Sequence, residues 1–349
     1  MDISMNDIRL DKFRLKGDLD ADSLVETLMN SDQKGELYSV FSCKSWEEVH
    51  SLEHVDISLI NFLMKDNILP NWADKSQMQE ATALFRANGN EFLFMLGIVS
   101  LPYCYAAAKG ALSLFFTEKI RKNTEARLLE TTAFILEIMK PDAFKEGGSG
   151  FLALKLLRLR HAMARFFLNK IPAITAMDEQ PVNQEDMAGT NLAFSYMAIR
   201  AMPKIGTHIP QAKANSYMHF WAVVSCLMGV EEELLPRNMK EAFHLEKQIS
   251  ARQFHTSKEG KELMMQLVEH YQTNIPNRVT VKLIKPLIIY MVGDEVARII
   301  GLKEKAIFCS IDRLMGLLPL FKRFVFPPIQ SFESIVDHIR IRQIELAKT

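Results

Sequence analysis

Glycine and proline are scarce in this sequence. The 349 residues include 15 glycines and 13 prolines, below the roughly 12% that the two types reach together in an average protein. Since these residues mark the tight turns between short strands, their scarcity favours long helices over many strands. We therefore expect an all-α protein with one helical domain.

An excess of charge of one sign is also missing. The 42 lysines and arginines balance the 42 aspartates and glutamates, and the pI is about 7.1. Proteins that bind DNA, RNA or an anionic membrane surface generally present a basic face or a strong charge asymmetry. The composition therefore gives no support to nucleic acid as a partner, and it is that of an ordinary globular protein.

Paired cysteines and a targeting signal are absent as well. The four cysteines form no CxxC pair, so we predict reduced, mostly buried thiols and neither a zinc ribbon nor a disulfide framework. The first residues, MDISMNDIRLDKF, lack the basic and apolar regions of a signal peptide, which makes the cytoplasm the expected location. The cysteines are Cys43, Cys104, Cys226 and Cys309.

The motifs of common nucleotide-binding and hydrolytic sites are missing too. GxGxxG, GxxxxGK[ST], HExxH and GxSxG do not occur, so nucleotide-binding, zinc peptidase and α/β-hydrolase functions lack their essential parts. The segment Gly147-Gly148-Ser149-Gly150 is interpreted as a helix-entry loop.

The uncharged run FLFMLGIVSLPYCYAAA covers residues 92–108. Its 17 residues are fewer than the about 20 that a membrane span needs, and Pro102 interrupts it. We expect a buried core helix that breaks or kinks near Pro102. Peripheral contact with a membrane stays open.

Helical periodicity dominates the chain from Met78 onward. No repeat of solenoid length occurs, and we predict a helical N-terminal extension (1–75), a core (76–305) and a helical C-terminal extension (306–349). The breaks between helices carry proline or glycine, at Pro141, Gly147, Pro172, Pro203, Pro236 and Pro276. Apolar residues recur at helical spacing over 78–88, 91–117, 123–139, 151–169, 185–201, 211–230, 238–250, 258–271 and 281–300.

Three basic side chains share one face of the apolar helix predicted at residues 150–170. Arg158, His161 and Arg165 are spaced i, i+3 and i+7. Partly buried cations need an anionic partner. In one interpretation the anionic partner is a protein carboxylate, such as that of Asp186 or Glu130. In the other it is haem, with His161 ligating the iron and the arginines neutralising the propionates.

Two further segments combine polar groups with helical spacing. Arg127, Glu130 and Thr131 lie at i, i+3 and i+4 of one helix face. They form either an intrahelical Arg–Glu pair beside a threonine, or a polar patch that presents hydrogen-bond donors and a proton acceptor to a ligand. The segment PVNQEDMAGT, residues 181–190, has an asparagine followed by acidic residues, which is typical of a helix start.

Taken in order, these segments resemble the haem-dependent oxygenase family that includes the latex clearing proteins and the ER-bound oxygenase MpaB, which share the rubber oxygenase catalytic domain. The resemblance runs from about residue 90 to 305, and the order of the matches is its specific part. The matching residues are Ser100-Leu101-Pro102-Tyr103 with Tyr105, Arg127 with Thr131, Arg158 with His161 and Arg165, and PVNQEDMAGT.

The resemblance implies an all-helical fold with a globin-like core that encloses haem b. It implies His161 as the axial iron ligand, and Arg127 and Thr131 as residues near bound O₂ or substrate. Arg158 and Arg165 are assigned to the propionates or to helix packing. Gln184 and Thr190 lie in a matching segment and are further candidates for cofactor binding.

Two departures from the latex clearing proteins bear on the substrate. Those proteins carry an iron-capping lysine where this chain has Glu130, and a glutamate near the position of Ala111-Leu112-Ser113. We therefore do not expect rubber itself as the substrate, and we assign Glu130 as a candidate proton acceptor.

The resemblance thus implies a haem oxygenase of dioxygenase type that uses O₂ to oxidise, and cleave, a C=C bond of an apolar unsaturated small molecule or isoprenoid. The alternatives are a non-catalytic haem or O₂ sensor or carrier, and a haem-free interaction protein.

Overall fold

The computed structural model describes residues 7–117, 124–274, 278–303 and 332–346. Within these ranges the regular secondary structure is helical and no β-strand occurs, so the prediction of an all-α fold is confirmed. The break predicted at Pro276, the thiol of Cys309 and residues 306–331 of the predicted C-terminal extension lie outside the described residues.

The helices follow one another with short connections. A π-helical turn at Leu96–Ser100 joins the seventh helix to the eighth, and 3₁₀ turns lie at Met202–Ile205 and Glu232–Leu234. In chain order, the described α-helices are α1 Asp7–Arg14, α2 Leu19–Met29, α3 Lys34–Ser42, α4 Trp46–His50, α5 Ile57–Met64, α6 Lys75–Ala87, α7 Gly89–Met95, α8 Leu101–Ala106, α9 Ala108–Phe116, α10 Thr124–Ile138, α11 Ser149–Leu168, α12 Pro172–Thr175, α13 Gln184–Phe194, α14 Tyr196–Ala201, α15 Gln211–Leu227, α16 Met239–Gln253, α17 Lys258–Asn274, α18 Arg278–Val292, α19 Asp294–Ile299 and α20 Phe332–Leu346.

All nine stretches predicted from periodicity are helical. Several begin at a side chain that caps the first turn, because the first N–H groups of a helix have no partner within it. Asp74 accepts hydrogen bonds from the first turn of α6, Asn183 from that of α13 and Asn238 from that of α16. The acidic segment around residues 183–186 is thus a helix start, as its sequence indicates.

The stretch 91–117 is divided differently from the prediction. Pro102 lies in the first turn of α8, directly after the π-helical turn Leu96–Ser100, so the hydrogen-bonding pattern of the helix changes just before the proline. The chain leaves the helix only at Ala107, which has extended geometry (φ −77°, ψ 95°). There the carbonyl of Ala106 accepts a hydrogen bond of 3.2 Å from the N–H of His255. The end of the helix therefore coincides with pairing to a neighbouring segment.

The apolar run 92–108 contributes to the main hydrophobic core, in which Phe92, Phe94 and Val99 are fully buried. Among the described residues, no helix combines the length and the apolarity that crossing a bilayer requires. The cytoplasmic location of the protein stays a prediction, and so does the peripheral contact of this run with a membrane.

A second hydrophobic cluster joins the N-terminal helices to α11. Val25, Leu28 and Leu59 pack there against one side of α11, where Leu152 and Leu156 are buried. Because this cluster combines residues from α2 to α5 with residues of α11, the first 64 residues cover part of the helix that carries His161. The boundaries predicted at residues 75 and 305 stay predictions.

Ion pairs anchor the start of the chain as well. The guanidinium of Arg14 is 3% exposed and donates to Glu179 at 2.7 and 3.0 Å and to Asp186 at 2.6 Å. Burial alone would lower the pKa of Arg14, but the carboxylates of Asp186 and Glu179 raise it above its ordinary value. Arg14 therefore stays charged and ties α1 to the first turn of α13.

Candidate active site

Close packing of glycines fixes the start of α11. A Cβ atom on Gly148 would collide with the carbonyl oxygen of Ala143, and one on Gly150 would lie 2.7 Å from the same atom. The N–H of Gly150 donates to that carbonyl at 2.9 Å. The glycine-rich loop is therefore required by the approach of two backbones, which sets the direction of α11.

His161 lies in the second half of α11 and has an unusual environment for a histidine. Its Nδ1 atom is buried without a hydrogen-bond partner, although buried ring nitrogens are ordinarily paired. Within the described residues neither ring nitrogen makes a hydrogen bond, and the side chain as a whole keeps some accessible surface. An imidazole in this state is available to a ligand.

The charge state of His161 suits metal binding. Burial lowers its pKa to about 3, and the positive charges of Arg165 and Arg127 act in the same direction. The imidazole is therefore neutral at physiological pH, as a metal ligand must be. No group of three histidine, cysteine, aspartate or glutamate residues is placed to hold a metal ion in the described part of the chain, so the candidate is a single imidazole.

Helix α10 brings Arg127 near His161. The positive charge of Arg127 lowers the pKa of His161 and opposes the effect of burial on the pKa of Tyr105. Over the described ranges it forms no hydrogen bond or ion pair. The hydroxyl of Thr131 donates to the carbonyl of Arg127 at 3.0 Å, which leaves its oxygen able to accept a further hydrogen bond.

Glu130 lies on the same helix and is partly accessible. Its carboxylate acts electrostatically on Arg160. Burial lowers the pKa of Arg160, and the negative charge of Glu130 raises it. Arg160 also donates to the carbonyl of Phe41 at 3.2 Å. Arg127 and Arg160 thus place two positive charges beside Glu130 and His161.

Internal space borders these groups. Every residue from 124 to 134 in α10 keeps partial accessibility and none is buried. Burial raises the pKa of Cys104 to about 12, although its side chain keeps accessible surface. Because Cys104 is surrounded by protein and its side chain still has accessible surface, we infer that it lines a cavity. Cys104 also interacts with the hydroxyl of Thr190, which donates to the carbonyl of Asp186 at 2.9 Å.

Arg158 and Arg165 take their partners from α2. Arg158 donates to both carboxylate oxygens of Asp18 at 2.7 and 2.9 Å. Arg165, 1% exposed, donates to Asp22 at 2.6 Å and to the carbonyl of Val182 at 3.0 Å. The structure therefore gives both arginines protein partners, and we carry forward only their assignment to helix packing.

These partners differ from the carboxylates considered from the sequence, which were Asp186 and Glu130. Asp186 pairs instead with Arg14. The spacing of Asp18 and Asp22, four residues apart in an amphipathic helix, is the one signal that could have indicated a match to the two arginines of α11.

Gln184 is fully engaged in a structural role. Its side-chain amide donates to the carbonyls of Gly17 at 2.7 Å and Gly229 at 2.9 Å, and its oxygen accepts from the N–H of Glu231 at 2.9 Å. It joins two loops to the start of α13. The structure thus groups His161, Arg127, Thr131 and Glu130, and it places Gln184 elsewhere.

Sequence reasoning did not single out three residues near this group. Tyr105 entered only as part of a pattern match, Cys104 entered only as one of the predicted buried thiols, and Arg160 did not enter at all. Cys104 and Tyr105 lie next to Pro102 in a run that is apolar throughout, so composition gave no sign that they border a cavity. Arg160 precedes His161 directly and falls off the i, i+3 stripe.

Comparison with known proteins agrees with this arrangement. The family model described as ER-bound oxygenase mpaB/B'/Rubber oxygenase, catalytic domain, matches residues 99–319. A rubber oxygenase from Streptomyces sp. (strain K30) is 24% identical over 280 residues, which cover 77% of this chain and 67% of that protein. The structure titled latex clearing protein LCP in the closed state superposes with a TM-score of 0.72 at 20% identity, covering 93% of this chain and 90% of the other.

The last of these comparisons concerns the fold, which the two chains share. The family match extends over well over half of the chain and includes every residue of the group around His161. The chain therefore belongs to the family of catalytic domains found in the ER-bound oxygenase mpaB/B' and rubber oxygenase.

Proposed function

We propose that this oxygenase depends on haem b and uses O₂ to oxidise an apolar unsaturated substrate by cleaving a C=C bond. The observation that carries the proposal is the state of His161: neutral, without a hydrogen-bonding partner among the described residues, and on the border of internal space. A buried histidine ordinarily has a hydrogen bond. An axial bond to iron would use a ring nitrogen that the protein leaves unused.

The residues around His161 fit the cofactor in charge and polarity. Haem would supply the binding and activation of O₂, and the protein would supply orientation and electrostatics. His161 would hold the iron. Arg127 carries a charge without an ion-pair partner in the described ranges, and with Thr131 it offers hydrogen bonds to an oxygen-containing ligand beside His161.

Glu130 is the candidate proton acceptor. Its carboxylate lies on the same helix as Arg127 and keeps accessible surface, so it can exchange a proton with a substrate in the adjoining space. Its carboxylate acts electrostatically on Arg160. We therefore assign Glu130 to proton transfer during oxidation, and Arg127 and Thr131 to orientation of the oxygen-containing ligand.

The substrate class follows from the family and from the walls of the site. Rubber oxygenase, the curated relative, is named for a polymer of isoprene units. Leu128, Leu129, Ala133 and Phe134 of α10 and Leu157 of α11 pack at the edge of the main core and are only partly buried. Such walls favour an apolar isoprenoid. Squalene, which is an unsaturated isoprenoid of small size, is the first substrate to test, with rubber latex beside it.

The test compares the visible spectra of the wild type, His161→Ala and His219→Ala after reconstitution with haem b. His219 is a matched control because it is also a buried helical histidine, but its Nε2 accepts a hydrogen bond from the N–H of Asp74 at 2.8 Å. We expect a haem b spectrum in the wild type and in His219→Ala, and a lost or strongly shifted Soret band in His161→Ala.

Free imidazole should restore the Soret band of His161→Ala, because it can occupy the space left by the side chain. Circular dichroism verifies that the variant is folded. A wild type that stays colourless after reconstitution, or a Soret band unchanged by His161→Ala, would refute the proposed cofactor and ligand.

A further inference from the structure

A separate cavity lies between the N-terminal segment and the first half of α11. Its volume is about 340 Å³, and its lining includes neither His161, Arg127 nor Thr131. The walls are mainly apolar, with Ile68, Leu69, Pro70, Phe151, Leu154 and Leu227 among the lining residues. A cavity of this size accommodates a small organic molecule.

One buried cation lines this cavity without an anionic partner. The side chain of Lys155 is 7% exposed, and over the described ranges its ammonium makes no hydrogen bond or ion pair. It lies 5.1 Å from the centre of the Phe62 ring, a cation–π contact that compensates only part of the lost hydration. Buried lysines are otherwise almost always paired.

The other charges at the cavity are already balanced or exposed to solvent. Arg158 is neutralised by its two hydrogen bonds to Asp18. The side chain of Asp66 is 72% exposed and lies 4.0 Å from Lys65, itself largely exposed. The charges of Asp66 and Asp18 act on Lys155 in the sense opposite to burial, but among the described residues no carboxylate forms a hydrogen bond or ion pair with its ammonium. Lys155 is therefore the charged lining group that lacks a direct partner.

We propose that this cavity binds a small carboxylate with an apolar tail, whose carboxylate group accepts hydrogen bonds from the ammonium of Lys155. The single unpaired positive charge matches a monoanion, whereas a phosphate would bring a second negative charge without a partner. The apolar walls match the tail. The cavity also shares Asp66, Ile68, Leu69 and Phe151 with a neighbouring cleft of about 1120 Å³, which gives a longer tail room to extend.

Burial lowers the pKa of Lys155 to about 8, and the charge of Arg158 acts in the same direction. At neutral pH the ammonium is thus mainly protonated and able to bind an anion. Without a ligand it is a destabilising charge, and a bound carboxylate would remove that cost.

The experiment measures binding of octanoate and octanol to the full chain by titration calorimetry at neutral pH. Octanol has the same tail without the charge. We expect octanoate to bind the wild type more tightly than octanol by at least about tenfold, because a hydrogen bond to a charged group is among the stronger ones. Lys155→Met, which removes the charge and keeps a similar volume, should abolish this preference and leave octanol binding unchanged.

Lys65→Met is the matched control, because Lys65 lies next to the lining residue Asp66, is not itself a lining residue and is 64% exposed. It should bind both probes like the wild type. Retained octanol binding shows that the cavity of Lys155→Met is intact. Equal affinity of the wild type for both probes, absence of octanoate binding at millimolar concentration, or full octanoate preference in Lys155→Met would each overturn the proposal.

Discussion

Five basic side chains of α11 differ in their surroundings, and these differences separate their roles. Arg158 and Arg165 are paired with aspartates of α2 and hold the fold together. Lys155 and the Nδ1 atom of His161 are buried, and neither side chain has a hydrogen-bonding partner in the described part of the chain. Arg160 donates to a backbone carbonyl and acts electrostatically on Glu130. Since an unpaired buried basic group is costly, the two unpaired ones are the candidates for ligand binding.

At this scale the role of Glu130 can be tested directly. Glu130→Gln keeps the shape of the side chain but cannot accept a proton, so turnover of the reconstituted oxygenase should fall by at least about a hundredfold. Oxygen consumption with squalene measures it. Glu137→Gln is the control on the same helix, because Glu137 pairs with Lys140 at 2.7 Å and lies two turns away. Unchanged turnover in Glu130→Gln would rule out the proton-transfer role.

Lys155 gives a prediction for the pH dependence of stability. Its pKa is about 8 in the folded state and 10.5 in the unfolded state, so between these values the unfolded chain binds more protons. The contribution of Lys155 to the free energy of unfolding therefore increases as pH rises through this window and is lost as pH falls towards 8.

Urea denaturation at pH 8 and 9.5 measures this effect without bound ligand. Relative to Lys155→Met, the wild type should gain about 1.5 kcal/mol in the free energy of unfolding between these two pH values. The comparison with the variant removes the contributions of tyrosines and thiols, which titrate in the same range. Parallel pH profiles of the two proteins would show that Lys155 is not a destabilising charge.

At the scale of elements, the region around α8 depends on how closely α17 approaches it. Gly260, in the first turn of α17, is buried, and a Cβ atom there would collide with the carbonyl oxygen of Tyr105. This approach lies directly before the break at Ala107 and beside the side chain on which Arg127 acts. A small residue in α17 thus helps to position one wall of the candidate active site.

Gly260→Ala should consequently lower the free energy of unfolding by about 1–3 kcal/mol, because a methyl group is forced into a closely packed contact. Gly35→Ala is the control. Gly35 is also helical, but a Cβ atom there meets no atom within 4 Å, so the substitution should be neutral or stabilising by up to about 1 kcal/mol. Chemical denaturation measures both, and similar effects of the two substitutions would contradict the close approach.

The sequence predicted the existence of the elements better than their ends. Periodicity found all nine helical stretches because each has an apolar face that packs in the core. It could not place the break at Ala107, since that break depends on the contact of Ala106 with His255, about 150 residues further along the chain. The break at Ser195 in the stretch 185–201 differs, because it is accompanied by a local hydrogen bond from its hydroxyl to the carbonyl of Asn191 at 2.7 Å.

Across the whole molecule, the N-terminal segment and α11 are parts of one packed structure. Leu152, Leu156 and Leu159 of α11 are covered by the N-terminal helices, and Arg158 and Arg165 take their carboxylates from α2. We therefore expect one cooperative unfolding transition that includes the N-terminal extension and the core.

Removal of the first 66 residues tests this expectation and retains Asp74, which caps α6. The shortened chain would expose the leucines of α11 and lack the carboxylates that pair with Arg158 and Arg165. We expect calorimetry to show no cooperative transition and limited proteolysis to degrade the fragment. A fragment with a native circular dichroism spectrum and the melting temperature of the full chain would disprove it.

The candidate site was predictable to the extent that it is local. Arg127, Thr131 and His161 are each recognisable by spacing within one helix, and in the structure the charge of Arg127 acts on His161. The spacing of Asp18 and Asp22 is compatible with a match to two arginines, but it does not identify Arg158 and Arg165, because the pairing joins segments about 140 residues apart. A burial pattern in three dimensions was also needed to recognise Lys155 as an unpaired cation.

The dependence of α11 on the N-terminal helices has a consequence for synthesis of the protein on the ribosome. Asp22 and Arg165 are separated by 143 residues, which at about 5–20 residues per second corresponds to a delay of roughly ten to thirty seconds. During that time the apolar side chains of α2 to α5 are outside the ribosome without the leucines that cover them. We therefore expect the nascent chain to require a chaperone until α11 emerges.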